Sequence, residues 1–111
     1  MAYSNVLTVE VLPKEKFNVK IYAFYYDRFG MPREIPVEIK ICIVHPEIGY
    51  RCFSTKTPFE TSLKGGYIVE VSVPEYWWGY RFVMWSDGVT DKYRRFTVTS
   101  DVELGAEYTP I

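Results

Sequence analysis

The sequence predicts an all-β protein, a two-layer sandwich of seven to nine short strands. Apolar and polar residues alternate along most of the chain, which is the pattern of strands with one buried face. Glycine, proline and Ser-Asp pairs separate the alternating runs and favour turns between them. The spacing of an amphipathic helix does not persist over about ten residues anywhere, so we expect strands packed in two layers.

Six alternating runs precede the aromatic segment that begins at Tyr76. They span residues 6–12, 17–26, 36–44, 50–55, 58–63 and 67–73. Pro13 ends the first run, and because proline cannot donate to a strand ladder we expect an edge strand there. The run 36–44 places four β-branched residues on one face, and it is the strongest candidate for a core strand. Tyr67 follows two glycines, at the position of a tyrosine corner in a Greek-key sandwich.

The two cysteines lie on either side of a predicted turn at residues 45–49. If the hairpin is centred on Glu47, Cys42 and Cys52 are five residues from the centre and directly opposite each other. That placement suits the Cα separation of a disulfide, and we favour a structural disulfide over two free thiols. The spacing is not the Cys-x-x-Cys arrangement of redox sites.

Residues 79–108 predict three further strands joined by tight turns. Apolar side chains alternate with polar ones, and Phe82 and Met84 are expected on the same face of the first of these strands. The turns contain the segments Ser86-Asp87-Gly88 and Ser100-Asp101. This stretch is a folding pattern and contains no reaction chemistry.

Length and charge restrict the classes of function. The 111 residues form one domain, 1–111, which is long enough to bury a core of its own. The net charge of −1, with acids and bases interspersed, argues against nucleic acid as a partner. No apolar run reaches the length of a membrane span and no signal peptide is recognisable, so we expect no membrane insertion. The absence of glutamine and the presence of only Asn5 and Asn18 lean toward a thermophilic source.

Four aromatic residues form the candidate ligand-binding site. Tyr76, Trp77 and Trp78, together with Tyr80, could present a flat platform on which sugar rings stack or a protein partner anchors. The alternative is that these rings pack against the sandwich. The sequence does not decide between the two.

No catalytic or cofactor site is expected. Asp87 and Asp91 could contribute to a Ca²⁺ loop, but the segment lacks the acidic density of one and an ordinary turn is favoured. His45 is the only histidine and is expected in a solvated turn, so no zinc cluster or nucleophile–base pair is indicated. A glycosidase carboxylate pair would need a cleft that the sequence does not show. We therefore expect a protein that is not an enzyme.

The last third of the chain resembles the closing segment of immunoglobulin-like repeat modules in bacterial and archaeal cell-surface and secreted proteins. The shared pattern is Trp-Ser-Asp-Gly-x-Thr, a later Arg, alternating Thr and Val, an Asp, and Leu-x-Ala-x-Tyr. The matching residues are Trp85, Ser86, Asp87, Gly88, Thr90, Arg94, Val98, Asp101, Leu104, Ala106 and Tyr108. Gly105 stands where the pattern usually has Thr, which we expect to loosen that strand, and the aromatic insert 76–78 is not part of the pattern.

The resemblance implies an immunoglobulin-like Greek-key β-sandwich that lies outside the cell or at its surface. Our leading hypothesis is a non-catalytic structural or adhesive module with a protein or glycan partner at the cell surface. A carbohydrate-binding module is the second hypothesis. The third is a subunit of a filament, pilus or archaeal virus particle, in which case self-association is possible.

Overall fold

A computed structural model describes residues 16–111, which form ten β-strands and no helix. The strands are β1 Lys16–Tyr26, β2 Pro32–Glu34, β3 Glu38–His45, β4 Gly49–Lys56, β5 Phe59–Lys64, β6 Ile68–Ser72, β7 Tyr76–Trp77, β8 Tyr80–Trp85, β9 Tyr93–Thr97 and β10 Val102–Pro110. The strand expected at residues 6–12 lies outside the described residues. The all-β prediction is confirmed for the rest of the chain.

The first sheet is built around β1. On one edge β1 pairs in parallel with β10, from Val19 opposite Val102 to Tyr25 opposite Tyr108. On its other edge β1 pairs with β5 along its first half and with β2 at its end. Beyond β10 the sheet continues through β8 to the two-residue strand β7. We call this layer sheet A.

The second layer, sheet B, has the strand order β4-β3-β6-β9, with every pair antiparallel. Its centre is β3, the strand that the sequence marked as the strongest core strand. The chain crosses from sheet B to sheet A between β4 and β5. Thr57 is buried at this crossing, where its hydroxyl donates to the carbonyl of Ile35 (2.7 Å) and accepts from the amide of Val37 (2.9 Å).

The core lies between the two sheets and is almost entirely apolar. The largest fully buried side chains are Trp85, Tyr108, Ile21, Ile39, Ile41, Val19, Val37, Val69, Val71 and Val98. The alternation read from the sequence chose the correct inward face for β1, β3 and β6. Burial of this apolar surface is the main stabilising contribution to such a fold.

Ten strands exceed the seven to nine that were expected. The excess comes from β2 and β7, which have only three and two residues and leave little trace of alternation in the sequence. Strand β3 begins at Glu38 rather than at Pro36. A proline has no N–H to donate, so it does not extend the ladder.

The alternation expected in β8 is wrong at its centre. Phe82 pairs with Tyr108 and Met84 pairs with Glu107, so Val83 is an extra residue in the ladder and forms a bulge. After the bulge, the residues that face the core are those that uninterrupted alternation would have placed on the outer face. Phe82 and Trp85 therefore both point into the core, whereas Met84 lies on the outer face beside Glu107.

Tyr67 and His45 also differ from expectation. The ring of Tyr67 stacks on the imidazole of His45, with centroids 4.2 Å apart, so the histidine is not simply solvated. The His45 ring nitrogen Nδ1 accepts a hydrogen bond from the amide of Glu47, which holds the turn. The buried tyrosine that bonds a distant backbone group is instead Tyr108, whose hydroxyl donates to the carbonyl of Pro74 (2.5 Å).

Candidate functional site

The aromatic segment forms a tight hairpin between β7 and β8. Trp77 pairs with Tyr80, and the two-residue turn between them consists of Trp78 and Gly79. Both turn residues have positive φ, 45° for Trp78 and 85° for Gly79, as a type I′ turn requires. Among the described residues, Trp78 is the only one other than glycine with positive φ. A bulky residue in this conformation is uncommon and marks a strained position.

The four rings do not lie in one plane. Trp77 and Tyr80 are half-buried and pack against the core, and Tyr80 also contacts Tyr25, with centroids 5.0 Å apart. The planes of Trp77 and Trp78 are 71° apart. The exposed rings are Trp78 (84%) and Tyr76 (61%). A ligand arriving from solvent would therefore meet these two rings first.

An open groove of about 650 Å³ lies beside the hairpin. It is lined by Ile35, Pro36, Glu38, Lys56, Trp77, Trp78 and Tyr80. Burial raises the pKa of the Tyr80 hydroxyl, and the neighbouring Tyr25 raises it further. The groove thus combines aromatic surface with one acid, Glu38, and one base, Lys56.

The residues of the closing motif are used to hold the fold. The indole N–H of Trp85 donates to the carbonyl of Asp91 (2.6 Å). The guanidinium carbon of Arg94 lies 5.7 Å from the centroid of the Trp85 ring. The same guanidinium donates two hydrogen bonds, of 2.9 and 2.7 Å, to the Asp87 carboxylate. These bonds hold the pKa of Asp87 below its usual range. Gly88 has φ +91°, as the turn requires.

The same motif joins β10 to its neighbours. The amide of Ser86 donates to the carbonyl of Gly105, and the Gly105 amide donates to the Ser86 hydroxyl (3.1 Å). Asp101 accepts from the amide of Asn18 at the start of β1 (2.9 Å). Leu104 and Ala106 are buried in the core. These contacts account for the motif without assigning it a ligand.

The turn after Trp85 does not collect oxygen ligands for a cation. Both carboxylate oxygens of Asp87 bind Arg94, and the carboxylate of Asp91 accepts from the amide of Tyr93 (3.0 Å). Within residues 16–111, no group of three or more histidine, cysteine, aspartate or glutamate side chains is placed to hold a metal ion. This range also has no helix with the length and hydropathy that a membrane crossing requires.

The cysteine pair lies on the outer face of sheet B. Cys42 is directly opposite Cys52 and the two form a disulfide, with Cα atoms 4.1 Å apart, as the hairpin register predicted. The neighbouring Glu70 accepts from the Tyr50 hydroxyl (2.6 Å) and pairs with Arg95 at 3.8 Å. The disulfide therefore joins two adjacent strands of an outward face and belongs to no binding groove described above.

One aromatic surface was missed as a candidate site. Tyr22, Phe24 and Tyr26 follow one another on the outer face of β1, and with residues of β2, β8 and β10 they line a groove of about 470 Å³. The signal in the sequence was a strand that is aromatic at alternate positions on its solvent side.

No family model matches the chain, and no curated protein matches it. Two solved structures of the pilus-presented adhesin Spy0125 (Cpa) are similar in fold. One crystal form gives a TM-score of 0.55 at 16% identity, over 88% of this chain and 27% of the adhesin. A cysteine-to-alanine mutant of the adhesin gives a TM-score of 0.52 at 16% identity, over 89% of this chain and 28% of the adhesin.

The chain thus spans little more than a quarter of the adhesin it resembles. At this identity the likeness shows the fold alone. The expected immunoglobulin-like β-sandwich is confirmed.

Proposed function

We propose that this chain is a non-catalytic structural or adhesive module of a cell-surface or secreted protein, of the immunoglobulin-like repeat kind that its closing motif resembles. Its motif residues are engaged in internal contacts, which suits a module whose role is to hold its shape. The fold it shares with a pilus-presented adhesin and the disulfide between Cys42 and Cys52 are consistent with a location outside the cytoplasm.

The direction of two strands carries the proposal. β1 and β10 run parallel and side by side over seven residue pairs, so residue 16, where the described part of the chain begins, and residue 111 lie toward opposite poles of the module. Modules joined end to end need this arrangement. A pull on residues 16 and 111 loads the β1–β10 ladder in shear, and all its hydrogen bonds then resist together.

Single-molecule force spectroscopy tests this role. A chain held by an azide-bearing amino acid at position 16 and by residue 111 should unfold in one abrupt event. As the control, the same chain is pulled from residue 111 and from an azide-bearing amino acid at position 76. Ile111 donates to the Gly79 carbonyl, so this direction peels β8 from β10 one pair at a time. We expect a much lower force in the control.

Equal forces in the two directions would contradict a role in carrying tension. They would mean that the parallel ladder adds no mechanical resistance beyond that of the peeled edge. The two chains share one disulfide state and differ only in the position of the azide-bearing amino acid, and equal melting temperatures establish that overall stability does not produce the result.

A carbohydrate-binding role is the second candidate, and the exposure of Trp78 favours it. A large apolar ring held at 84% exposure in a strained turn stabilises nothing in the sandwich core, but it can stack on a sugar face. A glycan array followed by tryptophan fluorescence tests the idea. A saturable ligand that quenches emission and is lost in Trp78→Asn would support it.

Of the two tryptophans in the hairpin, only Trp78 can be replaced without disturbing the core. Trp77 packs against the core, so replacing it would mix a loss of binding with a loss of stability. Phe29→Ala is the matched control, because Phe29 is also a highly exposed ring but lies in the loop before β2. Binding lost equally in Phe29→Ala would contradict a site at the hairpin.

A further inference from the structure

The outer face of sheet A carries a continuous aromatic stripe along β1. The Tyr22 and Phe24 rings have centroids 5.7 Å apart, and the Phe24 and Tyr26 rings follow at 5.4 Å, edge to face. Phe24 forms a floor that is 7% exposed, whereas Tyr26 is 51% exposed and offers its ring to solvent. The stripe lines the groove of about 470 Å³ between β2 and the outer faces of β8 and β10.

A glycine sets the position of the first ring. A Cβ atom added at Gly105 would collide with the ring carbons and the hydroxyl of Tyr22, so the ring lies directly against the backbone of β10. Residue 105 sits between the two inward-facing residues Leu104 and Ala106. Its outward space is filled by Tyr22, which is therefore a fixed wall of the groove.

The strand register places a carboxylate on each side of the central ring. Phe24 pairs with Glu34 on β2 and with Glu107 on β10, which puts these two glutamates about two strand spacings apart, roughly 10 Å. Neither glutamate forms an ion pair within residues 16–111.

A third carboxylate, Glu103, pairs with Lys20 at 3.9 Å. Three glutamates against one lysine leave the groove with an excess of two negative charges. Burial raises the pKa of Tyr22, and the charges of Glu103 and Glu34 raise it further against the opposite effect of Lys20. The groove is thus an aromatic surface in a negative field.

We propose that this groove binds cationic side chains, arginine in particular, from an extended segment of a partner protein. An arginine guanidinium stacks on aromatic faces and donates to carboxylates in its own plane. This groove offers a guanidinium an aromatic floor to stack on. It also offers, on both sides of that floor, carboxylates that form no ion pair with the described residues. The charge excess selects a basic segment over a neutral or acidic one.

The site is separate from the Trp78 hairpin and does not depend on the role proposed for it. A bare metal ion fits poorly here. Glu34 and Glu107 lie two strand spacings apart, with β1 between them, whereas Ca²⁺ gathers its ligands at about 2.3–2.6 Å. A neutral sugar would use the rings but would gain nothing from the excess charge, and it is therefore an outcome that the experiment must separate.

Fluorescence anisotropy with a labelled peptide of alternating glycine and arginine tests the proposal on the full chain. We expect saturable binding that weakens with salt. Glu34→Gln/Glu107→Gln should weaken binding about tenfold, because both unpaired carboxylates are lost. The control Glu38→Gln/Glu47→Gln makes the same change in net charge on β3 and the turn that follows it, in the other sheet, and should stay within about twofold.

A second pair of variants examines the rings. Tyr26→Ala should weaken peptide binding severalfold, whereas Tyr76→Ala, which removes a similarly exposed ring on the hairpin, should leave it unchanged. Circular dichroism of each variant establishes that it is folded before its affinity is interpreted.

Three results would overturn the proposal. Equal weakening by the two double variants would mean diffuse attraction to the whole surface. Binding of a neutral oligosaccharide that Tyr26→Ala abolishes, with no binding of the arginine peptide, would make the groove a sugar site. Failure of the wild-type chain to bind the peptide at millimolar concentration and low salt would leave no cation site.

Discussion

At the scale of single residues, Trp78 contributes strain to the turn it occupies. Asparagine adopts positive φ more readily than tryptophan, and Asn-Gly is the favoured pair for this turn. We predict that Trp78→Asn stabilises the protein by about 1 kcal/mol, seen as a higher melting temperature. Tyr76→Asn is the control and should bring no gain, since Tyr76 lies in a strand. A lower melting temperature for Trp78→Asn would show that the exposed ring packs usefully on Trp77.

Gly105 stands where the repeat pattern has Thr, and we expected it to loosen β10. In the structure its outward side is instead covered by the Tyr22 ring. Because glycine has no side chain, the Tyr22 ring can lie directly against the backbone of β10. We predict that Gly105→Ala destabilises the fold by about 1–3 kcal/mol, measured by urea denaturation, because the added methyl group displaces the ring. In a Tyr22→Ala background the same change should cost little, since the space is then empty. An equal cost in both backgrounds would mean that the backbone of β10, and not Tyr22, requires glycine.

Asp87 links stability to acid pH. Its hydrogen bonds to Arg94 lower its pKa in the folded state below the unfolded value of about 4, so the folded chain binds fewer protons at this group. The stabilisation is present above that unfolded value and is lost as pH falls through the folded-state pKa. We predict that Asp87→Asn is less stable at pH 7, by up to about 1 kcal/mol, and that the difference shrinks toward pH 3.

Melting curves of the two proteins from pH 7 to pH 3 provide the measurement. A difference that stays constant over this range would contradict a charge-based contribution. It would point instead to a contribution that does not depend on the charge of Asp87, such as the geometry of the turn in which its Oδ1 accepts from the Val89 amide.

At the scale of elements, the β3–β4 hairpin is closed by its disulfide. The bond joins residues ten positions apart in the sequence and limits the freedom of the unfolded chain. We predict that Cys42→Ala/Cys52→Ala loses roughly 2–3 kcal/mol of stability. Under force, the reduced wild type should extend about 30 Å further on unfolding than the oxidised chain, because about ten residues are released while the bonded Cα atoms already span 4.1 Å. Equal extension would mean that the two thiols are not bonded in the protein tested.

The β3–β4 hairpin and the bulge in β8 show which features of strand pairing can be predicted from the local sequence and which cannot. The register of Cys42 and Cys52 could be predicted because a short turn and two alternating strands fix each other. The phase of β8 could not, because one extra residue reverses a pattern of period two and Val83 looks like any other apolar residue. The short strands β2 and β7 exist through their pairing with longer strands, and their own sequence does not indicate them.

At the scale of the whole molecule, each sheet has inner strands with a neighbour on both edges. These are β1, β10 and β8 in sheet A and β3 and β6 in sheet B. We predict that the slowest amide hydrogen exchange lies at the centres of β1, β10, β3 and β6. We expect faster exchange in β4 and β7, each of which pairs with a single strand of the described part of the chain. Slow exchange confined to one sheet would contradict a single cooperative core between the layers.

The sequence by itself determined the all-β class, most strand positions, the inward faces of three strands and the cysteine pairing. These follow from local alternation and turn chemistry, in which each residue reports on its near neighbours. The tertiary structure decided which rings are exposed, since Trp77 is covered and Trp78 is not because of the turn between them. It also brought Glu34 and Glu107 to the two sides of Phe24, from strands 73 residues apart in the chain. Such a juxtaposition depends on which strands become neighbours, and that is settled by packing two whole sheets around one core.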